Sequence, residues 1–242
     1  MIKSLKTENY CIIPCRSGSK RIKNKNKKYF AGQRMFEMAI DRAKESGLFK
    51  DIIISTNDEE IFSISQKKGI CSFFRSEQNS TDNSTTISAI KESVNWLIKE
   101  KKIIYDNFFE IAICCLYPCT PFVKKSFLTD SYDLLFKYKN KFVYPVIQYS
   151  HPFERRMQMN EKNILSFEEP DKVNKRTQDC EKYYFDAGQF YWGFIPNWLE
   201  SSQIHDNAYG YDLSEEILYD IDTLAEFNNA ETIYKSLHKK VI

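Results

Sequence analysis

The sequence has no surplus of either charge: 35 Lys and Arg stand against 33 Asp and Glu, a formal charge of +2 with histidine neutral. A general nucleic-acid binder needs a clear basic excess, so that class of partner is excluded. Long apolar runs are missing too. No stretch approaches the ~20 apolar residues of a membrane span, and the N-terminus has no apolar signal region. Histidine is scarce, with His151, His205 and His238 far apart along the chain. The cysteines include no C-x2-C pair, and the spacings Cys11 to Cys15 and Cys115 to Cys119 do not suit a zinc knuckle. Cysteine is odd in number at seven, and Cys11, Cys71, Cys114 and Cys115 lie in apolar runs, where a thiol acts as a small hydrophobe. That usage fits a reducing compartment better than a disulfide framework. The expectation is a soluble, cytoplasmic protein without structural zinc or a membrane partner. Also absent is any G-x-x-x-x-G-K-[ST] loop, which excludes a P-loop nucleotide enzyme.

What is present is a globular composition, 42% apolar and 28% charged, with 242 residues to build one large domain over 1–242. Strand and helix signals alternate. Apolar runs at 10–14, 51–55, 71–74, 110–116, 142–148, 190–194 and 218–221 read as strands. Helical spacing marks 35–46, where Phe36, Ala39, Ile40 and Ala43 share a face before Gly47. Asn57 with Glu60 reads as the N-cap of a second helix ending near Gly69. Ile87, Ile90, Val94 and Leu97 mark a third helix, and 126–138 a fourth. The last, over 223–238, should turn Leu224, Phe227, Ala230, Ile233 and Leu237 inward. Lys99, Lys101 and Lys102 read as solvated surface. Residues 150–184 lose all periodicity around Pro152 and Pro170 and read as an excursion from the core, suited to function or to a partner surface. Repeated βα units with right-handed crossovers predict a mostly parallel sheet in a three-layer α/β/α fold.

In such sheets ligands bind beyond the carboxyl ends of the strands. The first of those ends carries the strongest signal, C-I-I-P-C-R-S-G-S-K-R from Cys11 to Arg21. Gly18, Ser17 and Ser19 let the backbone approach a ligand and offer N–H and hydroxyl donors, while Arg16, Lys20, Arg21 and Lys25 add positive charge. The bland alternative is a solvated basic turn. At the other end of the chain, D-I-D places Asp220 and Asp222 on one face of an extended segment, about 6–7 Å apart by residue rise. Converging cations and paired carboxylates suit a triphosphate with magnesium, which takes one or two carboxylates and completes its shell with phosphate and water. The alternative there is that Asp222 and Thr223 merely cap the final helix, with Glu226 closing a capping box.

The run I-P-C-R-S-G-S-K-R-I-K-N-K-N resembles the signature I-P-A-R-G-G-S-K-x-[IV]-P-x-K-N of the CMP-sugar synthetases, cytidylyltransferases that activate nonulosonic acids. Further motifs match in order. I-S-T-N-D-E-E-I from Ile54 resembles the family's S-T-D segment, and F-R-S-E from Phe74, with Asp82 and Ser84 after it, resembles its R-P-x-x-L and D-x-[ST] elements. L-Y-P-C-T-P-F from Leu116 is similar to L-Q-P-T-S-P-L, and D-I-D-T from Asp220 to the late metal-binding D-I-D. R-T-Q-D from Arg176, D-A-G-Q-F-Y-W-G from Asp186, and Tyr117 in place of glutamine resemble the branch that activates pseudaminic acid. The chain departs from the signatures at Cys15, Ser17, Lys23 and Asn57.

The resemblance implies a nucleotide-diphospho-sugar transferase fold and the reaction of CTP with pseudaminic acid, whose product serves surface glycans or flagellin. It implies catalytic roles for Arg16, Lys20 and Lys25, and CTP binding by these with Gly18, Ser19, Asn26, Arg75, Ser84 and Thr85. Asp220 and Asp222 would hold Mg²⁺. Tyr117, Asp186, Gln189 and Tyr191 would face the sugar, with Arg155 or Arg176 meeting its carboxylate. Phe190 and Trp192 read as core. A homodimer built through the excursion is implied as well. Close alternatives are the N-acylneuraminate synthetases acting on sialic or legionaminic acid. A glycosyltransferase of similar topology is disfavoured by the late position of D-I-D. A catalytically silent nucleotide binder is disfavoured by the retention of Lys20, Lys25, Asp220 and Asp222.

Overall fold

The computed structural model describes residues 8–100, 103 and 110–238, so Lys101 and Lys102 lie outside the described residues. Strand β1 (Tyr10–Cys15) is buried along almost its whole length. A basic loop follows it, closed by the short antiparallel pair β2 (Tyr29–Phe30) and β3 (Gln33–Arg34), and leads into α1 (Met35–Ser46). Next come β4 (Asp51–Thr56), α2 (Glu59–Lys67), β5 (Cys71–Phe74) and α3 (Thr86–Lys99). After them stand β6 (Ala112–Leu116), α4 (Lys125–Lys137) and β7 (Val143–Gln148). The excursion contains a small hairpin, β8 (Met157–Met159) with β9 (Leu165–Phe167), among short 3-10 turns. β10 (Tyr184–Asp186) and β11 (Phe190–Phe194) return to the sheet, and α5 (Ile195–Glu200), β12 (Tyr209–Asp212) and α6 (Leu224–Leu237) complete the order.

β5, β4, β1 and β6 lie side by side and parallel. β11 is antiparallel to β6, and β7 takes β11 and β10 as antiparallel neighbours and β12 as a parallel one. Both faces are covered. Cys11, Ile13 and Cys15 pack toward α1, α2 and α4, whereas Tyr10 and Ile12 pack toward α3 and α5. The expected three-layer α/β/α arrangement results. Phe190 and Trp192 are fully buried core residues, as read from the sequence. The register sets Cys15 opposite Thr56 and Leu116 opposite Phe190. The ends of β1, β4 and β6 and the start of β11 therefore share one sheet edge. No described helix is long and apolar enough to cross a membrane.

Some local expectations need correction. Residues 218–221 form no strand. Ile221 is buried under α6 with Phe30, Phe227 and Ala230, and an apolar run reports burial before it reports pairing. The last strand is β12, whose Gly210 lies so close to β7 that an added methyl would stand 2.9 Å from Val146. The N-cap of α2 is Asp58 and not Asn57, its carboxylate accepting from the N–H groups of Glu60 and Ile61. Leu224 and Leu237 are exposed, because α6 buries only a narrow stripe through Phe227 and Ala230. α5, at six residues, is too short to show helical periodicity in the sequence.

Candidate active site

The loop after β1 is shaped by its neighbours at the sheet edge. Thr56 Oγ1 donates to Cys15 O at 2.6 Å, and Asn57 Oδ1 accepts from Ser17 N–H at 2.7 Å. Gly18 makes the left-handed turn, with φ of 82°, while Ser17 does not adopt positive φ. Serine is therefore tolerated where the family signature has glycine. Two departures from that signature, Ser17 and Asn57, are hydrogen-bonded to each other. Asn26 is buried and donates from Nδ2 to Arg16 O at 2.9 Å, tying the end of the loop to its start.

The loop cations reach carboxylates brought in from elsewhere. Arg16 and Lys20 both meet Asp82, at 2.8 and 2.5 Å, and these contacts hold its carboxyl below the usual range. Arg21 and Lys25 meet Asp222 at 2.7 and 3.4 Å. Ser19 is half-buried in the same loop. A polyphosphate offers all of these cations a stronger set of acceptors than exposed carboxylates do.

Beside the loop opens a cavity of about 190 Å³ lined by Arg16, Arg75, Ser84, Thr85, Thr86 and Tyr117, with Pro14 and Ala89. Arg75 is buried, and burial lowers its ordinarily high pKa. Its guanidinium donates to Ser55 Oγ at 3.1 Å and to the carbonyls of Ser55 and Asn79, both at 3.2 Å. A cation held by neutral acceptors favours a polar or anionic ligand in the cavity it faces. Thr85 caps α3 by accepting from Ser88 N–H, and Ser84 Oγ donates to Asn79 Oδ1.

Asp220 and Asp222 precede α6. The expected capping box is present: Thr223 Oγ1 accepts from Glu226 N–H, and Glu226 accepts from the N–H groups of Thr223 and Asp222. Capping and a ligand role are compatible, since the Asp222 carboxylate points to Arg21 and Lys25. Partial burial and then the Asp222 charge push the Asp220 carboxyl up from its ordinary value. A divalent cation held by these carboxylates would favour their charged forms against both effects, so the donors fit one. No cluster of three or more metal-ligating side chains occurs among the described residues, so further ligands would come from phosphate or water. Close to this pair, burial pushes the Cys119 thiol up to about 12, which keeps it neutral and poorly nucleophilic.

The end of β10 and the turn into β11 supply a second polar cluster. Asp186 accepts from Gly188 N–H at 2.8 Å, from Tyr191 O–H at 2.7 Å and from His205 Nε2 at 2.8 Å. Tyr191 packs edge-on to Tyr117, whose hydroxyl lies 2.5 Å from Thr86 Oγ1 at the cavity wall. Burial pushes the Tyr117 hydroxyl up to about 12. Gly188, with φ of 63°, lies against Asp220. Gln189 is buried and donates from Nε2 to the carbonyls of Ala187 and Tyr219, leaving Oε1 without a hydrogen-bond partner. It thereby ties β11 to the segment that carries the carboxylates.

Nearly all the residues read from the sequence thus meet at one sheet edge. Arg155 and Arg176 do not. Arg155 donates to Lys175 O and Arg176 pairs with Asp179, both within the excursion. Sequence reasoning missed Thr86 and His205. Thr86 could have been found from its place beside Ser84 and Thr85, whereas His205 sits in an irregular loop with no motif around it.

Comparison with known proteins fits this geometry. A family model described as cytidylyltransferase matches residues 10–237. The pseudaminic acid cytidylyltransferase of Campylobacter jejuni is 32% identical over 235 residues, 96% of this chain and 98% of that protein. The N-acylneuraminate cytidylyltransferase of Streptococcus agalactiae is 29% identical over 224 residues, 90% of this chain but 51% of that protein. Among solved structures, a CMP:2-keto-3-deoxy-manno-octonic acid synthetase complexed with CTP superposes with a TM-score of 0.66 at 13% identity, covering 96% of this chain and all of that one. A 4-diphosphocytidyl-2C-methyl-D-erythritol synthase from Anaerococcus prevotii gives 0.60 at 14% identity, covering 95% and 97%. These two likenesses show the fold.

Proposed function

This chain belongs to the cytidylyltransferase family, and we propose that it joins CTP to pseudaminic acid, giving CMP-pseudaminic acid and pyrophosphate. The observation that carries the proposal is the meeting of the loop cations, the Arg75 cavity and the Asp220–Asp222 pair at one sheet edge. The anomeric hydroxyl oxygen of the sugar attacks the α-phosphorus in line. The bond from that phosphorus to its bridging oxygen breaks, and pyrophosphate leaves.

Arg16, Lys20 and Lys25 hold the triphosphate, exchanging Asp82 and Asp222 for phosphate oxygens. Gly18 and Ser19 bring backbone N–H groups close. Arg75, Ser84 and Thr85 line the cytidine side, while Asn26 keeps Arg16 in place. Most of the rate enhancement comes from positioning and from neutralising charge. Asp220 and Asp222 would hold Mg²⁺, which would neutralise phosphate charge and ease loss of the hydroxyl proton. Tyr117, Asp186, Gln189 and Tyr191 form the sugar side. The reaction would run in the cytoplasm, a setting that suits seven free cysteines.

A nucleotide panel tests this reading. With pseudaminic acid present, CTP should release pyrophosphate at least ~10-fold faster than UTP, ATP or GTP, because each hydrogen bond lost with the wrong base costs about 1–3 kcal/mol. Equal release from UTP would remove the cytidylyl assignment. The proposal extends to a homodimer. Met157, Met159, Ile164 and Leu165 of the β8–β9 hairpin are all at least half exposed, and a second copy would cover them. Arg155 and Arg176 would then serve the partner's sugar site. Light scattering should give twice the chain mass, and a fully active monomer would refute the dimer.

A further inference from the structure

We infer that His205 is a direct contact for the sugar acid, with Asp186 as the residue that positions it. The inference rests on the cytidylyl transfer proposed above. His205 lies in the loop between α5 and β12, and its Nε2 stands 2.8 Å from Asp186 Oδ2. That carboxylate already accepts from Tyr191 O–H on the same oxygen and from Gly188 N–H on the other. The nitrogen that faces it must carry hydrogen, so in the neutral ring Nδ1 holds a lone pair. The imidazole is clamped edge-on by the Tyr144 ring at 5.4 Å and the Tyr191 ring at 6.4 Å. Its side chain nevertheless stays 59% exposed. A ring oriented on three sides and open on the fourth presents one acceptor in a fixed direction.

Its place in the fold says what meets that acceptor. On one side Tyr191 leads to Tyr117, a wall of the nucleotide cavity. On the other, Gly188 lies against Asp220, a methyl added there standing 3.5 Å from its carboxyl. A sugar whose anomeric oxygen attacks a phosphorus held between the cavity and the carboxylates has its ring and substituents in this region. Hydroxyl and N-acyl N–H groups on that sugar are donors and suit the Nδ1 lone pair. Asp186, with its oxygens largely taken up by protein donors, acts mainly through His205.

Three proteins compared side by side test this: wild type, His205→Leu and His205→Asn, whose amide oxygen falls near the position of Nδ1. The exposed site and the remaining partners of Asp186 should let both variants fold, as thermal melting would verify. In His205→Leu the KM for pseudaminic acid should rise about 10-fold. CTP affinity, titrated calorimetrically without sugar, should stay within about twofold, and His205→Asn should recover most of the lost sugar affinity. An unchanged sugar KM in His205→Leu would overturn the inference, and so would a matching loss of CTP affinity, which would mark a structural role. Wild-type protein inert toward every nonulosonic acid would overturn the proposed reaction, and this inference with it.

Discussion

Asp222 pairs with Arg21 and Lys25, and its backbone N–H is held by Glu226. Replacing only its charge therefore separates binding from turnover. Asp222→Asn should keep the fold and measurable CTP binding, yet reduce turnover by ~10²-fold or more, because charge at the transition state loses its electrostatic centre. Pyrophosphate release close to wild type at saturating magnesium would sink the metal role. The residues of this site were legible in the sequence wherever they lie in one short run, as in 16–26 or 220–222, since the chemistry of each run is local. Ser17 was harder to interpret: only the structure gives the left-handed turn to Gly18 and pairs Ser17 with Asn57. His205 was illegible, because its partner Asp186 lies on a different segment and no pattern links the two.

Helix α6 and its cap connect stability to the site. Glu226 accepts from two backbone N–H groups, which hold its carboxyl below the ordinary range. With the folded value depressed, the cap's contribution is present above the unfolded glutamate range and is lost as pH falls through the lower folded value. Thr223→Ala removes one capping bond, about 1 kcal/mol, and should lower Tm by roughly 2–4 °C with turnover nearly unchanged. Glu226→Ala should lower Tm similarly but cut turnover severalfold further, because it also frees the Asp222 backbone. Equal turnover in the two variants would show that the cap does not position the carboxylate. The capping box was readable from T-L-A-E. The strand expected just before it was not there, because burial of Ile221 beneath α6 produces the same apolar signal as sheet pairing. β12 was missed for the opposite reason: its Y-G-Y-D is too polar and too short to stand out, and only its register with β7 makes it a strand.

At the scale of the whole molecule, the sheet gathers segments far apart in sequence onto one edge, and under the proposed function that edge selects the acceptor sugar. Parallel strands and helical layers follow directly from the βα alternation. The antiparallel entry of β10 and β11 does not, although it is what carries Asp186 at the end of β10, Gln189 in the turn and Tyr191 on β11 to the same edge as Arg16. Tyr117 offers a phenol where the sialic-acid branch has a carboxamide, so an N–H donor is lost and bulk is added. Each polar group left unpaired by the wrong sugar costs about 1–3 kcal/mol, and two such mismatches amount to roughly 10²-fold or more. The most direct test is the specificity constant for pseudaminic acid and for N-acetylneuraminic acid, measured side by side with CTP and a pyrophosphate readout. Pseudaminic acid should be preferred by ~10²-fold or more; an equal or higher constant for N-acetylneuraminic acid would contradict the assignment and place the chain with the sialic-acid enzymes.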